Sequence, residues 1–552
     1  MRSEKHKGEA ETSRAAGSAR PEAVHAASSL PFSVLAAWVA VGVLLCVAFP
    51  IALTVVSRER IVGFVADDAY YYFNVAAHIA AGGGPTADGL TRTTGFHPLY
   101  AFLLAGLHWM TDPTLDTFVA QAVVVNAAGS ILAGAFLGLA ARRWWGETAG
   151  WTAALLWWAN PHAAHIVADG LEGGLYACTL ALFLWRALAV HQQTTVHQQA
   201  NGPESNRRTV WNAFVLGICA SLAALSRTDA ILIVAAISLI LLVSLRTWSA
   251  RVVTLGILTV LVAGALSLWW WYCWEYTGSI VQGSAAVKRE WNTFLRAQQG
   301  SLAPAYSAWE WVNYVIKCIL KVPSLKWVLA GIPLILAYRH AGRLGDELLV
   351  HMLWVIPLLL GGAYCLFLDR PRTWYYIPSL VMFTLLTAGA VNAIFADGAR
   401  HGWTGLAFRN RCFLSWIVMA ECIGIFLSQD ARLLWRESDQ VQGVRAAQWI
   451  EENVPPDTRV GCWHSGIVQY YTPHVNVINL DGLANNDILA VLRRQKSMNE
   501  YWDEMGIRMI LGGPREKMGG YEPRWNGKRL ETCGLSGKLQ CVMADVPDTT
   551  VK

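Results

Sequence analysis

Charge is scarce in this chain. Only 15% of its 552 residues are Asp, Glu, Lys or Arg, against roughly 25% in soluble domains, which excludes an ordinary soluble fold. The net charge of +5 is too small to suggest a nucleic-acid partner. The 11 cysteines form no CxxC pair and no zinc spacing. Most lie inside apolar runs (Cys46, Cys178, Cys219, Cys273, Cys318, Cys365, Cys412, Cys422), where thiols behave as small hydrophobes. Cys533 and Cys541 are able to pair only if the tail that carries them is extracytoplasmic. There is no internal repeat and no heptad pattern. Gly82-Gly83-Gly84-Pro85-Thr86 lacks both the lysine and the preceding strand of a nucleotide phosphate loop; it reads as a helix stop.

What the chain has instead is apolar sequence: 54% hydrophobic residues and 27 tryptophans. About 20 apolar residues cross a bilayer as a helix. Runs of that kind occupy 32–56, 117–140, 149–168, 173–190, 210–226, 229–245, 252–274, 324–338, 348–368, 374–395 and 412–428, predicting about eleven spans. The run from Leu30 to Val56 lacks a secretory cleavage pattern and reads as an uncleaved anchor. Residues 1–30 read as a disordered cytoplasmic tail. Arg142-Arg143, Arg186 through Arg208, Arg246 with Arg251, Arg339 with Arg343 and Arg400 through Arg411 fall at every second boundary, which defines one cytoplasmic face. Pro98–Met110, about 13 residues, is too short to cross and suits an interfacial helix.

The opposite face then collects the loops 57–116, 169–172 and 275–323, together with a C-terminal unit over 429–552. In that unit Val444–Asn453 reads as a helix, Arg459–Trp463 and Val475–Leu480 as strands, Ile488–Gln495 as a helix and Met509–Leu511 as a strand, a small α/β domain. The predicted class is a polytopic α-helical membrane protein, with a transmembrane domain over 31–428 and an extracytoplasmic α/β domain.

Chemistry points to Asp67-Asp68, directly after the first span. Adjacent carboxylates raise one another's pKa, which suits a general base that takes a proton from a hydroxyl. The plainer reading is helix N-capping. Tyr70, Tyr71 and Tyr72 are suited to wall a site or stack on a sugar. His97, in Phe96-His97-Pro98, is a candidate substrate contact. Glu172, in Asp169-Gly170-Leu171-Glu172, is not required by a tight turn and is a candidate for acceptor hydroxyls. With Asp68 it is also a candidate ligand for Mg²⁺, Mn²⁺ or Ca²⁺, which take oxygen donors. Arg227, Lys288 with Arg289, and Arg370 with Arg372 before Trp374-Tyr375-Tyr376 are cations on the face where cations are least expected. They suit a phosphate leaving group, with Tyr375 beside it.

Taken together, Asp67-Asp68-Ala-Tyr, the Gly-rich turn, Phe-His-Pro, Asp169–Glu172, Gly278-Ser279 with Lys288-Arg289, and Trp374-Tyr375-Tyr376-Ile-Pro378 resemble the bacterial GT-C glycosyltransferases. These are the group related to protein mannosyltransferases and arabinofuranosyltransferases. Gly461-Cys-Trp-His-Ser-Gly466 and Val477-Ile-Asn-Leu-Asp-Gly-Leu-Ala-Asn485 resemble the outer domain of an uncharacterised branch. The resemblance implies a GT-C-like fold and a bacterial inner-membrane location. It also implies inverting sugar transfer from a polyprenyl-phosphate donor to a glycan, lipid or protein acceptor. Carried over, Asp67 is the base, Asp68 positions it or shares the role, and Glu172 binds acceptor or metal. Lys288, Arg370 and Arg372 are candidates for the donor phosphate by charge and placement more than by motif. The alternative is a transporter or flippase of lipid-linked sugars, which would place ionisable residues deep within the spans.

Overall fold

The computed structural model describes residues 58–298, 353–360, 373–400, 440–512 and 540–543, except 159, 197–202, 246, 354, 358 and 494–496. The spans expected at 32–56, 324–338 and 412–428, Arg370, Arg372 and Cys533 lie outside the described residues.

Helices dominate. After α1 (Arg58–Phe64) come α2 (Asp67–Ala80), α3 (Pro98–Thr111), α4 (Leu115–Trp145), α5 (Glu147–Trp158), α6 (Pro161–Ala168) and α7 (Gly173–Val196). They are followed by α8 (Pro203–Ser226), α9 (Ala230–Ser244), α10 (Trp248–Thr277), α11 (Gly283–Gln298) and, after a 3₁₀ turn at Thr373–Tyr376, α12 (Ile377–Arg400). Four stretches among the described residues are long and apolar enough to cross a membrane: Leu115–Trp145, Gly173–Gln192, Asn206–Ser226 and Trp248–Thr277. The chain is a multi-pass, mainly helical membrane protein. α3, with 14 residues, is a helix too short to cross. The continuous span expected at 149–168 is instead split into α5 and α6. Pro161 has no N–H to donate and biases Asn160 away from the helical region, so the helix breaks there.

Small residues let the spans pack closely, as helices do in lipid. A close crossing joins α4 to α7. A Cβ on Gly174 would lie 2.1 Å from the Asn126 carbonyl oxygen. The Asn126 side chain accepts from the Gly174 amide at 2.9 Å and donates to the Tyr100 hydroxyl at 2.9 Å, which donates to the Gly170 carbonyl at 2.7 Å. This chain of bonds fixes the 169–172 turn. Gly174→Ala is expected to cost about 1–3 kcal/mol through overpacking. Thermal unfolding of the detergent-solubilised variant checks this, and an unchanged midpoint would contradict it.

The C-terminal unit runs through α13 (Val441–Asn453), β1 (Arg459–Cys462), α14 (Gly466–Tyr470), β2 (Asn476–Asn479), α15 (Asp487–Leu492), α16 (Met498–Glu504), β3 (Met509–Gly512) and β4 (Gln540–Met543). The strand order is β2-β1-β3-β4; β1 is parallel to β2 and β3, and β4 is antiparallel to β3. α16 starts with a full capping box between Ser497 and Glu500. The unit is not a separate bead. Val444, Ala447, Ile467, Tyr470 and Tyr471 share one buried cluster with Ile61, Tyr70 and Phe73 of the first loop. Tyr470 meets Tyr70 and Phe73 with ring centroids 5.3 and 5.7 Å apart, spacings at which edge-to-face attraction adds to burial.

Candidate active site

Two clusters of polar side chains flank the start of α2. The helix begins because Ala66 is extended (φ −65°, ψ 144°) and its amide donates to the Asp169 carbonyl at 2.8 Å. Ala66 is therefore the N-cap residue, and no side chain caps the helix. The N-capping reading of Asp67-Asp68 is overturned: both are first-turn helical residues.

The first cluster is shared with the C-terminal unit. Asp67 Oδ1 accepts from the Ile467 amide at 2.8 Å. Asp67 Oδ2 is buried with no hydrogen-bond partner among the described residues. Burial dominates and pushes this carboxyl well above the usual carboxylate range. The amides of Ile467 and Gly466 pull it down, while the charges of Asp68 and Asp481 push it further up. Asp68 is half-buried. The Tyr71 hydroxyl accepts from the Ser465 amide at 3.1 Å and from Asn479 Nδ2 at 2.9 Å, and donates to Asp481 Oδ2 at 3.4 Å. Tyr70, Tyr71 and Tyr72 are all buried, which corrects the expectation of sugar-stacking rings. Tyr71 is a bolt between α2 and the sheet. Asp481 Oδ2 also accepts from the His464 amide at 3.1 Å. That contact holds His464 in a left-handed backbone, φ 53°, with its ring 67% exposed.

The second cluster joins the turn after α6 to the turn after α8. Arg227 Nη1 donates to Glu172 Oε1 at 2.6 Å and Nη2 to Asp229 Oδ2 at 2.7 Å. The Arg227 and Glu172 side chains are each only 3% exposed. Arg227 also lies over the Tyr375 and Tyr176 rings, 5.0 and 5.6 Å from their centroids. It is therefore committed to two carboxylates, and does not face a donor phosphate as a spare cation. Glu172 Oε1 is likewise committed, rather than open to acceptor hydroxyls. Among the described residues no three His, Cys, Asp or Glu side chains are grouped to hold a metal.

His97, its side chain 12% exposed, lies beside this pair, its Nε2 3.7 Å from Glu172 Oε1. Its Nδ1 accepts from the Thr228 amide at 3.5 Å and its own amide donates to the Tyr72 hydroxyl at 3.1 Å. Burial lowers the imidazole to about 4 despite the Glu172 charge, so His97 is neutral at pH 7. It buttresses the turn from the inside. Lys288 Nζ donates to the Tyr375 hydroxyl at 3.3 Å. The structure thus brings together Asp67, Asp68 and Tyr71 on one flank and His97, Glu172, Arg227, Lys288 and Tyr375 on the other.

Sequence reading did not assign roles to Ser465, Asn479 and Asp481. Their signal was positional. They lie at or just beyond the carboxyl ends of the adjacent parallel strands β1 and β2, where open α/β sheets place functional loops.

Residues 431–535 match a family described as Domain of unknown function (DUF8728). Comparison with curated proteins returns no sequence match. Among solved structures, the chain is similar to ArnT from Cupriavidus metallidurans bound to undecaprenyl phosphate. The TM-score is 0.60 at 15% identity, over 93% of this chain and 98% of that one. It is also similar to the Archaeoglobus fulgidus oligosaccharyltransferase in the apo form, with a TM-score of 0.53 at 14% identity, covering 89% and 70% of the two chains. AglB from the same organism, in complex with an inhibitory peptide and a dolichol-phosphate, gives 0.52 at 14% identity, over 88% and 69%. On this structural likeness the chain has the GT-C fold.

Proposed function

We propose that this protein is an inverting glycosyltransferase that moves a sugar from a polyprenyl-phosphate donor to an acceptor hydroxyl at the outer face of a bacterial inner membrane. The observation that carries the reading is Asp67. One carboxyl oxygen is aimed by a backbone amide, and the other is buried without a partner at the mouth of a membrane bundle. A buried polar atom left unpaired calls for an explanation, and raised carboxyl basicity is what a general base needs near neutral pH. The fold shared with proteins holding undecaprenyl phosphate or dolichol-phosphate supports a donor of that class.

In this reading the acceptor oxygen attacks the anomeric carbon as Asp67 takes its proton. The bond between that carbon and the phosphate oxygen breaks, and the phosphate leaves with the electron pair. Lys288, seated on Tyr375, offsets the charge that develops there. Arg370 and Arg372 precede the same aromatic turn and extend the proposed phosphate site. Attack from the side opposite the phosphate inverts the anomeric centre. Glu172, Arg227 and His97 act as the rigid wall between base and leaving group, and Asp68 raises the basicity of Asp67.

The test is sugar transfer by purified, detergent-solubilised protein from a panel of polyprenyl-phosphate sugars, and product anomeric configuration by NMR. Transfer with inversion is expected. Transfer from nucleotide sugars alone overturns the donor assignment. Movement of lipid-linked sugar across vesicles without transfer supports the transporter instead.

A further inference from the structure

The C-terminal unit makes an unusually intimate contact with Asp67. A Cβ built on Gly466 would lie 2.1 Å from the Asp67 carbonyl oxygen and 3.0 Å from Oδ1. No side chain fits there, so the backbone of the 465–467 turn lies directly against that of the first helical residue of α2. Ser465 holds Tyr71 through its amide, Ile467 holds Asp67 through its amide, and Asn479 ties the Ser465 and Tyr71 hydroxyls together at 3.1 and 2.9 Å. Two further glycines seal the same junction. A Cβ on Gly95 would lie 1.8 Å from the Leu483 carbonyl oxygen, and one on Gly283 would lie 2.5 Å from Asn486 Oδ1. Asn486 Oδ1 accepts from the amide and hydroxyl of Thr94, whose hydroxyl accepts from the Gly283 amide. First loop and sheet unit therefore meet backbone to backbone, and α11 joins them through the Thr94 and Asn486 side chains.

We propose that the Ser465–Ile467 turn is a positioning element for Asp67, which makes the C-terminal unit part of the catalytic apparatus rather than only a platform for the acceptor. The inference rests on the reading of Asp67 as the base. Its logic is geometric. A carboxylate on a short side chain swings about two bonds, and either oxygen can take a proton. With Oδ1 held by Ile467, only Oδ2 remains to receive one, and its direction is fixed. Misplacing a reacting group by about 1 Å costs on the order of a hundredfold in rate.

The groups around Asp67 set what a loosened clamp does. Asp68, Tyr70 and Tyr71 stand on its own helix; Asp481, with His464 against it, comes from the sheet unit; Asp169 comes from the turn beneath. Apart from His464, which stands against Asp481, none is able to carry a positive charge that would replace the lost amides. Withdrawing those donors therefore raises the pH at which Asp67 loses its proton.

Gly466→Ala is the variant, and Gly95→Ala, which strains the same junction away from Asp67, is the control. Two readouts are used: the pH profile of kcat, and the carboxyl C=O stretch in pH-difference infrared spectra, with Asp67→Asn identifying the Asp67 band. Gly466→Ala is expected to lower kcat by about tenfold to a hundredfold with donor KM little changed. Its acid limb and the infrared titration should both move to higher pH. Gly95→Ala should leave both midpoints in place. The double variant with Asp67→Asn should lose no more than Asp67→Asn alone, because the two act as a unit. If Gly466→Ala and Gly95→Ala lose activity alike with neither midpoint moving, the turn is only structural and the proposal fails. If Asp67→Asn stays active, the base assignment fails instead. The infrared titration still reads the clamp in that case, and an unmoved band overturns it.

Discussion

Asp67→Asn is expected to abolish most sugar transfer while leaving the fold intact or slightly more stable. General acid–base catalysis contributes about 10² to 10⁴ in rate, and a loss in that range is expected in kcat. The amide is nearly isosteric. Its oxygen still accepts from Ile467, and its nitrogen takes the place of the unpartnered Oδ2. The stability sign follows from linkage. Burial raises the Asp67 carboxyl in the folded state, so between its unfolded and folded values the folded chain holds a proton that the unfolded chain has lost. The stability this group contributes is complete below about pH 3.8 and disappears as pH rises through the folded value. Above that folded value the wild type carries a buried charge that the variant lacks. The melting midpoint of Asp67→Asn should therefore equal or exceed that of wild type above the folded pKa. Asp68→Asn, which removes a half-buried carboxylate, should lose less activity than Asp67→Asn. A larger loss for Asp68→Asn would transfer the role of base to Asp68. A destabilised Asp67→Asn would show that the carboxylate serves the junction as a charge.

The largest stability effect is expected at Arg227. Arg227→Met removes one cation from between Glu172 and Asp229, leaving a Glu172 side chain only 3% exposed with no guanidinium beside it. Breaking a buried ion pair by removing one partner costs about 3–5 kcal/mol, because the other charge stays buried. Two helix turns lose their common tie as well, since Glu172 precedes α7 and Asp229 precedes α9. Neutralising the partner should recover part of the loss: Glu172→Gln combined with Arg227→Met is expected to melt above Arg227→Met alone. Thermal unfolding of the three variants in one detergent decides it. Equal midpoints for wild type and Arg227→Met would mean that the pair is not what holds these turns.

The membrane bundle was legible in the sequence because burial in lipid imposes a simple rule, a long run of apolar residues with every backbone group bonded within its own helix. The runs at 117–140, 173–190, 210–226 and 252–274 lie within helices of the structure. The strands around Val460, Val477 and Ile510 were legible for a similar reason, as short apolar stretches bounded by turn residues. The break at Pro161 was missed because hydropathy alone does not weigh a missing N–H. The Asp67-Asp68 pair stood out as charge beside a span. Its partners did not. Ile467 is 400 positions away from Asp67 in sequence and contributes a backbone amide, which leaves no mark in side-chain chemistry. Arg227 and Glu172 were each visible as odd charges, but that they face one another, rather than a substrate, depends on which helix turns lie adjacent.

What the sequence by itself determined is therefore everything that follows from local composition: a multi-pass helical chain, a mixed α/β tail, and a short set of charged residues too costly to be incidental. Tertiary structure alone decided what each of them touches. It turned Tyr71 from a free ring into a bolt, closed Glu172 and Arg227 on each other, and set the 465–467 turn of the tail against Asp67. The reason is physical. The cost of a buried charge is fixed by residue type, but whether that cost is offset by a cation, by an amide or by nothing depends on distances of about 3 Å between segments hundreds of residues apart in the chain.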